Sequence, residues 1–189
     1  EVNVFTTNYS GNLPKEEIIN NVLIRRFKCW CPNEAYFFSR ELKRQLIKNS
    51  DSFDIVHAHS YHALTSLYAA QAKGRNSFIF TPHYNGGGGT FFRNLLHIPY
   101  KFWGRMIFER ADKVVCVSRY ERELIKERFE ICDDKTVFIP NGVNSEEFRK
   151  LKKRKEDHRV ILTVARFEKY KGVQFLIEAL PKLDDDIVL

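Results

Sequence analysis

Five short apolar runs, each followed at once by polar residues, constrain the fold of this chain more than any other feature. The runs are rich in Val, Ile and Phe, and longer stretches with helical spacing separate them, a pattern typical of buried parallel strands. The residues that follow the runs are His57 to His59, Thr81 to His83, Ser118 and Arg119, Pro140 to Gly142, and Ala165 and Arg166. Because ligands of an open α/β sheet bind beyond the carboxyl ends of its strands, we expect these residues to line one crevice. The pattern predicts an α/β fold with a Rossmann-like parallel sheet that binds a small molecule.

The size and composition of the chain indicate a globular protein. Its 189 residues can form one full domain and part of a second, and 43% of them are hydrophobic. No apolar run approaches the roughly 20 residues that span a bilayer, and the first residues lack the basic flank and apolar stretch of a signal peptide. Four cysteines, at 29, 31, 116 and 132, lack the usual spacing of a zinc site, so we expect free thiols in a cytoplasmic protein.

Most of the excess positive charge lies in one short stretch from Arg149 to Lys155, within a net charge of +7. A run of like charges without apolar periodicity or interleaved aromatic residues favours a solvated linker, so we expect no nucleic-acid partner. Several strand and helix units precede this stretch, and a fresh strand begins after it at Val160. We therefore predict a first domain over 1–146, a basic linker over 147–158 and the start of a second domain over 159–189.

The spacing of apolar residues predicts the individual elements. We expect strands at 2–6, 22–28, 54–58, 77–81, 113–117, 135–139 and 160–164, and helices at 34–49, 62–73, 99–111, 119–129 and 172–181. The first of these helices has a polar start near Asn33. The chain already begins in a strand and stops where another begins, near Ile187, so we expect the parallel sheet to be incomplete at both ends.

Five segments, in order along the chain, carry a family resemblance. They are Asp54 to His59, Phe80 to Tyr84, Ala111 to Ser118, Ile139 to Asn144 and Val164 to Gly172. Together they resemble glycosyltransferase family 4, the group 1 glycosyl transferases. The resemblance implies the GT-B fold, in which two Rossmann-like domains face each other across a cleft. It also implies an enzyme of hexosyltransferase type. Such an enzyme transfers a sugar from a nucleotide-sugar donor to a sugar or lipid-linked acceptor, with retention of configuration at the anomeric carbon.

Two features of the family fall outside this sequence. A glycine-rich loop follows the first strand of the family, and we expect it before Glu1. A pair of glutamates belongs to the donor-side domain, and we expect it after Leu189. We therefore expect the intact protein to be an enzyme, and this chain alone, with most of the acceptor-side domain and the first unit of the donor-side domain, to be inactive. The alternative is a non-catalytic Rossmann-type module that binds a nucleotide or a sugar.

Arg166 and Lys171 form a candidate anion site. Arg166 follows a predicted strand, and Lys171 and Gly172 open the next helix, where free backbone N–H groups favour an anion. Negative charge builds on a departing nucleoside diphosphate, and cations fixed in place stabilise that charge. The resemblance implies that Arg166, Lys171 and Gly172 bind the donor diphosphate without a metal or another cofactor. The alternative is a solvated pair at a helix start, with Gly172 as an ordinary turn residue.

His83 is the candidate catalytic residue. The preceding Pro82 pushes Thr81 toward an extended conformation, which directs the histidine out of the sheet edge. The resemblance implies that this histidine meets the transferred sugar or steadies the positive charge of the transition state. Without the family resemblance, the favoured interpretation of His83 is a neutral imidazole that is hydrogen-bonded into a loop.

Three further positions follow from the same crevice. His57 and His59 share one side of a strand, and His62 is near them, but no carboxylate is spaced to complete a metal site, so we expect no metal. The resemblance instead implies that His59, Ser118 and Asn141 face the acceptor cleft. Ser118 also has the position of a helix N-cap, its structural alternative.

The segment between Thr81 and the predicted helix at 99 combines glycines with aromatic residues. Gly86 to Gly89 lack the Gly-Lys-Ser or Gly-Lys-Thr ending of a phosphate loop, which favours a mobile loop over the acceptor cleft. Aromatic and basic residues then alternate as far as Arg110. Packing of an apolar stripe on the sheet is favoured, and peripheral contact with an anionic membrane, at the inner face of the cell membrane, is the alternative.

Overall fold

The computed structural model describes residues 1–32, 36–86, 91–150, 159–184 and 186–188, with the backbone alone at 91–99 and 170. The chain divides into two compact units, Glu1–Asn141 and Gly142–Leu189. The assignment of these units to an acceptor side and a donor side stays a prediction.

A three-stranded sheet opens the first unit, with β1 parallel to β3 and β2 antiparallel to it, in the order β1–β3–β2. Its strands are β1 (Val2–Asn8), β2 (Glu16–Ile19) and β3 (Val22–Lys28). Ion pairs support the antiparallel pair: Arg25 Nε lies 3.1 Å from Oε1 of the facing Glu16, and Arg26 pairs with Glu17. The predicted strands at 2–6 and 22–28 are confirmed. The sequence missed β2, since four residues at an edge are too few to show alternation.

A four-stranded parallel sheet forms the rest of the first unit, in the order β4–β5–β6–β7. Its strands are β4 (Ile55–His59), β5 (Ser77–Thr81), β6 (Lys113–Cys116) and β7 (Thr136–Phe138). The helices are α1 (Arg40–Asn49), which precedes β4, and the crossovers α2 (Leu64–Gln71), α3 (Phe91–Arg110) and α4 (Arg119–Phe129). Parallel neighbours require such crossovers, so the predicted α/β fold with a parallel sheet is confirmed.

The core of the first unit lies between the four-stranded sheet and its helices. Phe78 and Phe80 of β5, Val114 of β6, Phe108 of α3 and Ile125 of α4 are all fully buried. Each side chain of this kind stabilises the fold by about 1.5–3 kcal/mol when it is buried. Because helices cover the central strand β5, its sequence is a nearly continuous apolar run rather than an alternating one.

The helix α1 begins at Arg40, so the predicted start near Asn33 is wrong; Asn33 itself lies outside the described residues. Tyr36 and Phe37 have φ angles of 65° and 31°, which a right-handed helix does not allow. The N-cap is Ser39, which is 2% exposed. Its hydroxyl accepts a hydrogen bond from the Leu42 N–H at 3.3 Å and donates one to the Lys28 carbonyl at 2.7 Å. The helix therefore begins later in the chain than the apolar spacing suggested.

The helix α3 begins at Phe91, so the predicted start at 99 is wrong. Proline favours the first turn of a helix, but here the helix continues through Pro99. From Tyr100 onward its expected apolar stripe is present, since Tyr100, Ile107 and Phe108 are buried, whereas Phe102 is 74% exposed. The side chains of the earlier aromatic residues lie outside the described residues. Of the four glycines in the preceding loop, only Gly86 is described, so the predicted mobility of that loop stays a prediction.

The second unit contains the parallel strands β8 and β9 and two short helices within its described residues. They are α5 (Ser145–Arg149), β8 (Arg159–Val160), α6 (Val173–Ala179) and β9 (Ile187–Val188). Many of its apolar side chains are exposed, including Val164 at 89% and Phe167 at 94%. The strand predicted over 160–164 ends at Val160, because β9 pairs with only two residues. The Ile161 N–H still donates to the Val188 carbonyl at 2.9 Å.

In the part of the chain that the structure describes, no helix combines the length and the apolar character needed to cross a membrane. All four cysteines are free, as the sequence predicted. Burial raises the pKa of the Cys116 thiol to about 11, helped by the nearby Glu121 carboxylate. This thiol is therefore an inert part of the core.

Candidate active site

The carboxyl end of the four-stranded sheet brings together the strand-end residues of β4 and β5. His59 pairs in register with Thr81, and His83 follows two residues later. His57, His59 and His83, which we call the histidine cluster, lie next to one another at this edge. The predicted convergence of His59 and His83 is present.

Two separate hydrogen bonds and two ring contacts hold the histidine cluster together. His59 Nδ1 lies 3.3 Å from His83 Nε2, and their ring planes differ by 21°. The His57 and His59 ring centroids are 4.3 Å apart, and a 2.8 Å hydrogen bond joins His57 Nε2 to Thr81 Oγ1. Each hydrogen bond fixes the tautomer of the ring that it joins, since one ring nitrogen of a neutral imidazole donates and the other accepts.

Two rings of the histidine cluster, those of His57 and His59, favour the neutral form. Partial burial lowers the pKa of His59, and the neighbouring His83 lowers it further. The pKa of His57 is lowered by burial first, and then by His59 and His83. Because one imidazolium beside another is unfavourable, these rings are predominantly neutral near pH 7 and can both accept and donate a hydrogen bond.

Backbone geometry fixes the exit of each strand. Ser60, directly after β4, has φ of 76°, and His83 has φ of 50°. A residue other than glycine in this region costs about 1–3 kcal/mol, so its surroundings must hold it. The buried Ser66 hydroxyl of α2 donates to the His59 carbonyl at 2.7 Å and to the Ser60 carbonyl at 2.8 Å. The Ser60 N–H donates to the Thr81 carbonyl at 2.9 Å, which ties the β4 exit to β5.

Ser118 has the structural role named as its alternative. It is the N-cap of α4, with φ of −142° and ψ of 157°, and its hydroxyl accepts the Glu121 N–H at 3.0 Å. The Glu121 side chain, 3% exposed, accepts hydrogen bonds from the backbone N–H groups of Tyr84 and Val117. Sequence reasoning missed Glu121, although Ser-x-x-Glu is the spacing of a capping box.

A groove of about 730 Å³ lies beside the histidine cluster, lined by β1, α1, α2 and β4. Phe5, Leu42 and Phe53 give it an apolar wall, and His57 and His59 lie at its rim. An apolar groove with a few convergent polar groups is typical of a small-molecule site. Asn141 follows β7 and is exposed. Among the described residues, no hydrogen bond or ring contact connects it to the histidine cluster.

A second cavity, of about 540 Å³, is lined by lysines and carboxylates around the end of α3. Lys73 Nζ donates to Asp112 Oδ1 at 2.6 Å and to the Arg110 carbonyl at 3.1 Å, and Lys135 Nζ donates to the Glu109 carbonyl at 2.9 Å. These lysines donate hydrogen bonds to the last carbonyls of α3. The charged lining of this cavity therefore has a structural role at the end of the helix.

The predicted anion-site residues lie in the second unit. Gly172 is the N-cap of α6 and has φ of 73°, a conformation that favours glycine. Lys171 ends the turn before it, and the Lys171 N–H donates to the Glu168 carbonyl at 2.8 Å. The Arg166 side chain is 77% exposed, with Nη1 3.9 Å from Glu168 Oε1. Both cations are exposed, and the turn that carries Lys171 is closed by backbone hydrogen bonds.

Comparison with known proteins identifies the family. The model of Glycosyltransferase Family 4 matches residues 1–147. The chain belongs to glycosyltransferase family 4. This family-4 chain is 28% identical over 208 aligned residues to an uncharacterised glycosyltransferase of Methanocaldococcus jannaschii, covering 97% of this chain and 51% of that protein. It is 29% identical over 143 residues to a subunit of phosphatidylinositol N-acetylglucosaminyltransferase from Saccharomyces cerevisiae, covering 70% of this chain and 30% of that protein.

The fold of the family-4 chain is shared with a solved enzyme. The chain is similar to sucrose-phosphate synthase from Thermosynechococcus elongatus, with a TM-score of 0.64 and 19% identity over 96% of this chain and 50% of that one. The predicted fold, a Rossmann-like parallel sheet of GT-B type, is therefore confirmed. The chain spans about half the length of the curated relatives it matches.

Proposed function

We propose that the whole protein is a retaining glycosyltransferase that moves a sugar from a nucleotide-sugar donor to an acceptor hydroxyl. The observation that carries this proposal is the histidine cluster in a family-4 chain, held at the edge of a parallel sheet beside a groove of about 730 Å³. Ligands of such sheets bind at this edge. The imidazoles are suited to hydrogen bonds with sugar hydroxyls.

The reaction makes two demands on the protein. The bond between the anomeric carbon and the diphosphate oxygen breaks, and a bond to the acceptor oxygen forms on the same face of the sugar. The acceptor proton passes to the departing phosphate oxygen. Negative charge therefore grows on the diphosphate, while positive charge grows at the anomeric carbon. Groups already fixed in place lower the barrier most, because they need no reorganisation.

The proposal gives each candidate residue a role. Arg166 and Lys171, with Gly172 allowing the backbone to approach, bind the diphosphate. His83 contacts the transferred sugar, and His59 and Asn141 face the acceptor. Ser118 contributes as the cap of α4, since its hydroxyl accepts a helical N–H.

A kinetic comparison tests the role of His83. In the whole protein we expect His83→Ala to lower kcat about tenfold to a hundredfold, the cost of one hydrogen bond to a developing charge. The melting temperature should barely change, because His83 is exposed. Asn85→Ala, on the same loop and also exposed, is the matched control. A large fall in melting temperature with normal kcat would show that His83 is structural.

The product distinguishes the proposal from its alternative. Proton NMR of the product from a panel of nucleotide sugars should show the anomeric configuration of the donor. Tight binding of a nucleotide sugar without turnover would support the non-catalytic module instead. Because Arg166 and Lys171 supply the positive charge in this proposal, we expect activity to survive EDTA. Loss of activity that Mg²⁺ or Mn²⁺ restores would contradict that part.

An exposed aromatic pair on α3 favours a lipid-linked acceptor. Phe102 and Trp103 are 74% and 44% exposed and pack edge to face, with Lys101 and Arg105 beside them. Aromatic side chains next to cations suit the interface of an anionic membrane. The name of the yeast relative specifies phosphatidylinositol, which is a lipid. We expect co-sedimentation with phosphatidylglycerol vesicles but not with phosphatidylcholine vesicles, and Phe102→Ser should weaken it. Equal binding to both vesicles would contradict the attraction to an anionic surface, and binding to neither would contradict a peripheral contact.

A further inference from the structure

We infer that Glu121 is a positioning residue whose buried carboxylate holds the His83 loop in the conformation that brings His83 to His59. The consequence for sugar transfer rests on the proposed function. The positioning itself is a property of the first unit and can be measured without catalysis.

The carboxylate of Glu121 joins two separate strand exits. Oε1 accepts a hydrogen bond from the Tyr84 N–H at 2.6 Å, and Oε2 accepts one from the Val117 N–H at 2.7 Å. Tyr84 follows β5, whereas Val117 follows β6. Hydrogen bonds to a carboxylate are roughly twice as strong as those between neutral groups. Within the described part of the chain, the Glu121 side chain makes no ion pair with a Lys or Arg, so both of its oxygens serve these two backbone donors.

His83 lies between two fixed peptide groups. On one side, the Pro82 carbonyl accepts the Tyr61 N–H at 2.6 Å. On the other side, the Tyr84 N–H is held by Glu121, and the Tyr84 ring, 2% exposed, packs against Tyr61 with centroids 4.9 Å apart. His83 itself has φ of 50°, a conformation that persists only where its surroundings determine it. Release of the Tyr84 N–H would remove one of the two constraints.

A helix cap alone does not explain this arrangement. Ser118 already accepts an N–H in the first turn of α4, and a capping glutamate reaches back only to residues just before its own helix. The bond from Tyr84 crosses from another loop, 37 residues away in sequence. A carboxyl side chain is costly to bury unless it is hydrogen-bonded, and both oxygens of Glu121 are used by backbone donors of two different loops.

NMR of the 189-residue chain tests the positioning directly. In Glu121→Gln the amide offers one acceptor oxygen, and its NH2 group faces a backbone donor. We expect the Tyr84 and Val117 amide signals to shift and their hydrogen exchange to accelerate. Because His83 contributes to the lowered pKa of His59, that pKa should rise toward its ordinary value when His83 moves away. His57, on the same strand, is the other titratable group in contact with His59 and would be followed in the same spectra.

The matched control is Ser39→Ala, which removes another buried helix cap, whose hydroxyl bonds to the Leu42 N–H and the Lys28 carbonyl instead of to the cluster. It should lower the melting temperature without changing the titration of His59. A folded Glu121→Gln chain with unchanged His59 titration would overturn the inference. Should that variant not fold, Glu121→Asp keeps both acceptor oxygens on a shorter arm and should shift the same signals less.

Kinetics of the whole protein separate this inference from the proposed function. If both hold, Glu121→Gln lowers kcat tenfold to a hundredfold, roughly the cost of misplacing a catalytic group. The effect should then be largely absent in a His83→Ala background, because the two residues act as one unit. If His83→Ala leaves kcat normal, the proposed role of His83 fails, while the NMR result still decides the role of Glu121.

Discussion

The histidine cluster and the Arg166–Lys171 pair are both candidate sites, yet their surroundings differ. The cluster lies on a sheet whose core residues are fully buried, and buried polar side chains fix both of its loops. The pair lies in a unit whose apolar side chains, such as Phe167, are largely exposed. A motif in the sequence therefore does not reveal whether its site is rigid. Burial of the supporting elements decides how much of a site is organised before a ligand binds.

Hydrogen exchange should show the largest difference between the two units. Amides of β5 open only when the whole first unit unfolds, whereas a sheet of two strands is marginally stable in water. We expect protection of the Phe80 amide to exceed that of the Ile161 amide by about a thousandfold or more, given typical domain stabilities of about 5–15 kcal/mol. The comparison would break if the amides in the two units exchanged at similar rates.

Paired substitutions of phenylalanine should separate the units by stability. Phe80 is fully buried, whereas Phe167 is 94% exposed. Phe80→Ala should lower the free energy of unfolding by about 3–5 kcal/mol, through lost burial and a cavity. Phe167→Ala should change it by no more than about 0.5 kcal/mol. Urea unfolding followed by circular dichroism measures both values, and a large effect at Phe167 would show that this ring is buried in solution.

The anion site gives a prediction of similar size for catalysis in the whole protein. Arg166→Ala or Lys171→Ala should slow transfer about a hundredfold or more, because one preorganised charge contact contributes about 3–4 kcal/mol to the transition state. Lys169→Ala, in the same turn and also exposed, is the matched control. Near-normal kcat in either variant would contradict the diphosphate role of that residue. Both side chains are exposed, so neither substitution should unfold the protein and lower kcat for that reason.

The sequence predicted the parallel sheet because its strands read as short apolar runs that stretches with helical spacing separate. It also placed His59 and His83 at one sheet edge, since both follow neighbouring strands. It failed where a local bond overrides periodicity, as at Ser39, whose bond to the Lys28 carbonyl fixes the start of α1. Glu121 was missed because its key partner, the Tyr84 N–H, is distant in sequence, and no pattern of spacing encodes that contact.

The smallest expected effect is the dependence of stability on pH, which tests whether the histidine cluster is as closely packed as its geometry indicates. The folded-state pKa values of His57 and His59 lie below their ordinary value of about 6.5, whereas the unfolded chain takes up protons near it. Their contribution to stability is therefore complete above that pH and is lost as the pH falls through the lowered folded-state values.

We expect the melting temperature of the first unit to fall by a few degrees between pH 7.5 and pH 5. His59→Asn should reduce this fall, since it removes one titrating ring and its repulsion of His57. Asp112 and Asp133, whose pKa values are lowered mainly by their lysine partners, lose their contributions only at more acidic pH and do not enter this window. An equal fall in His59→Asn and the unaltered chain would mean that folding does not lower the pKa of His59, with the cluster too open to organise a site.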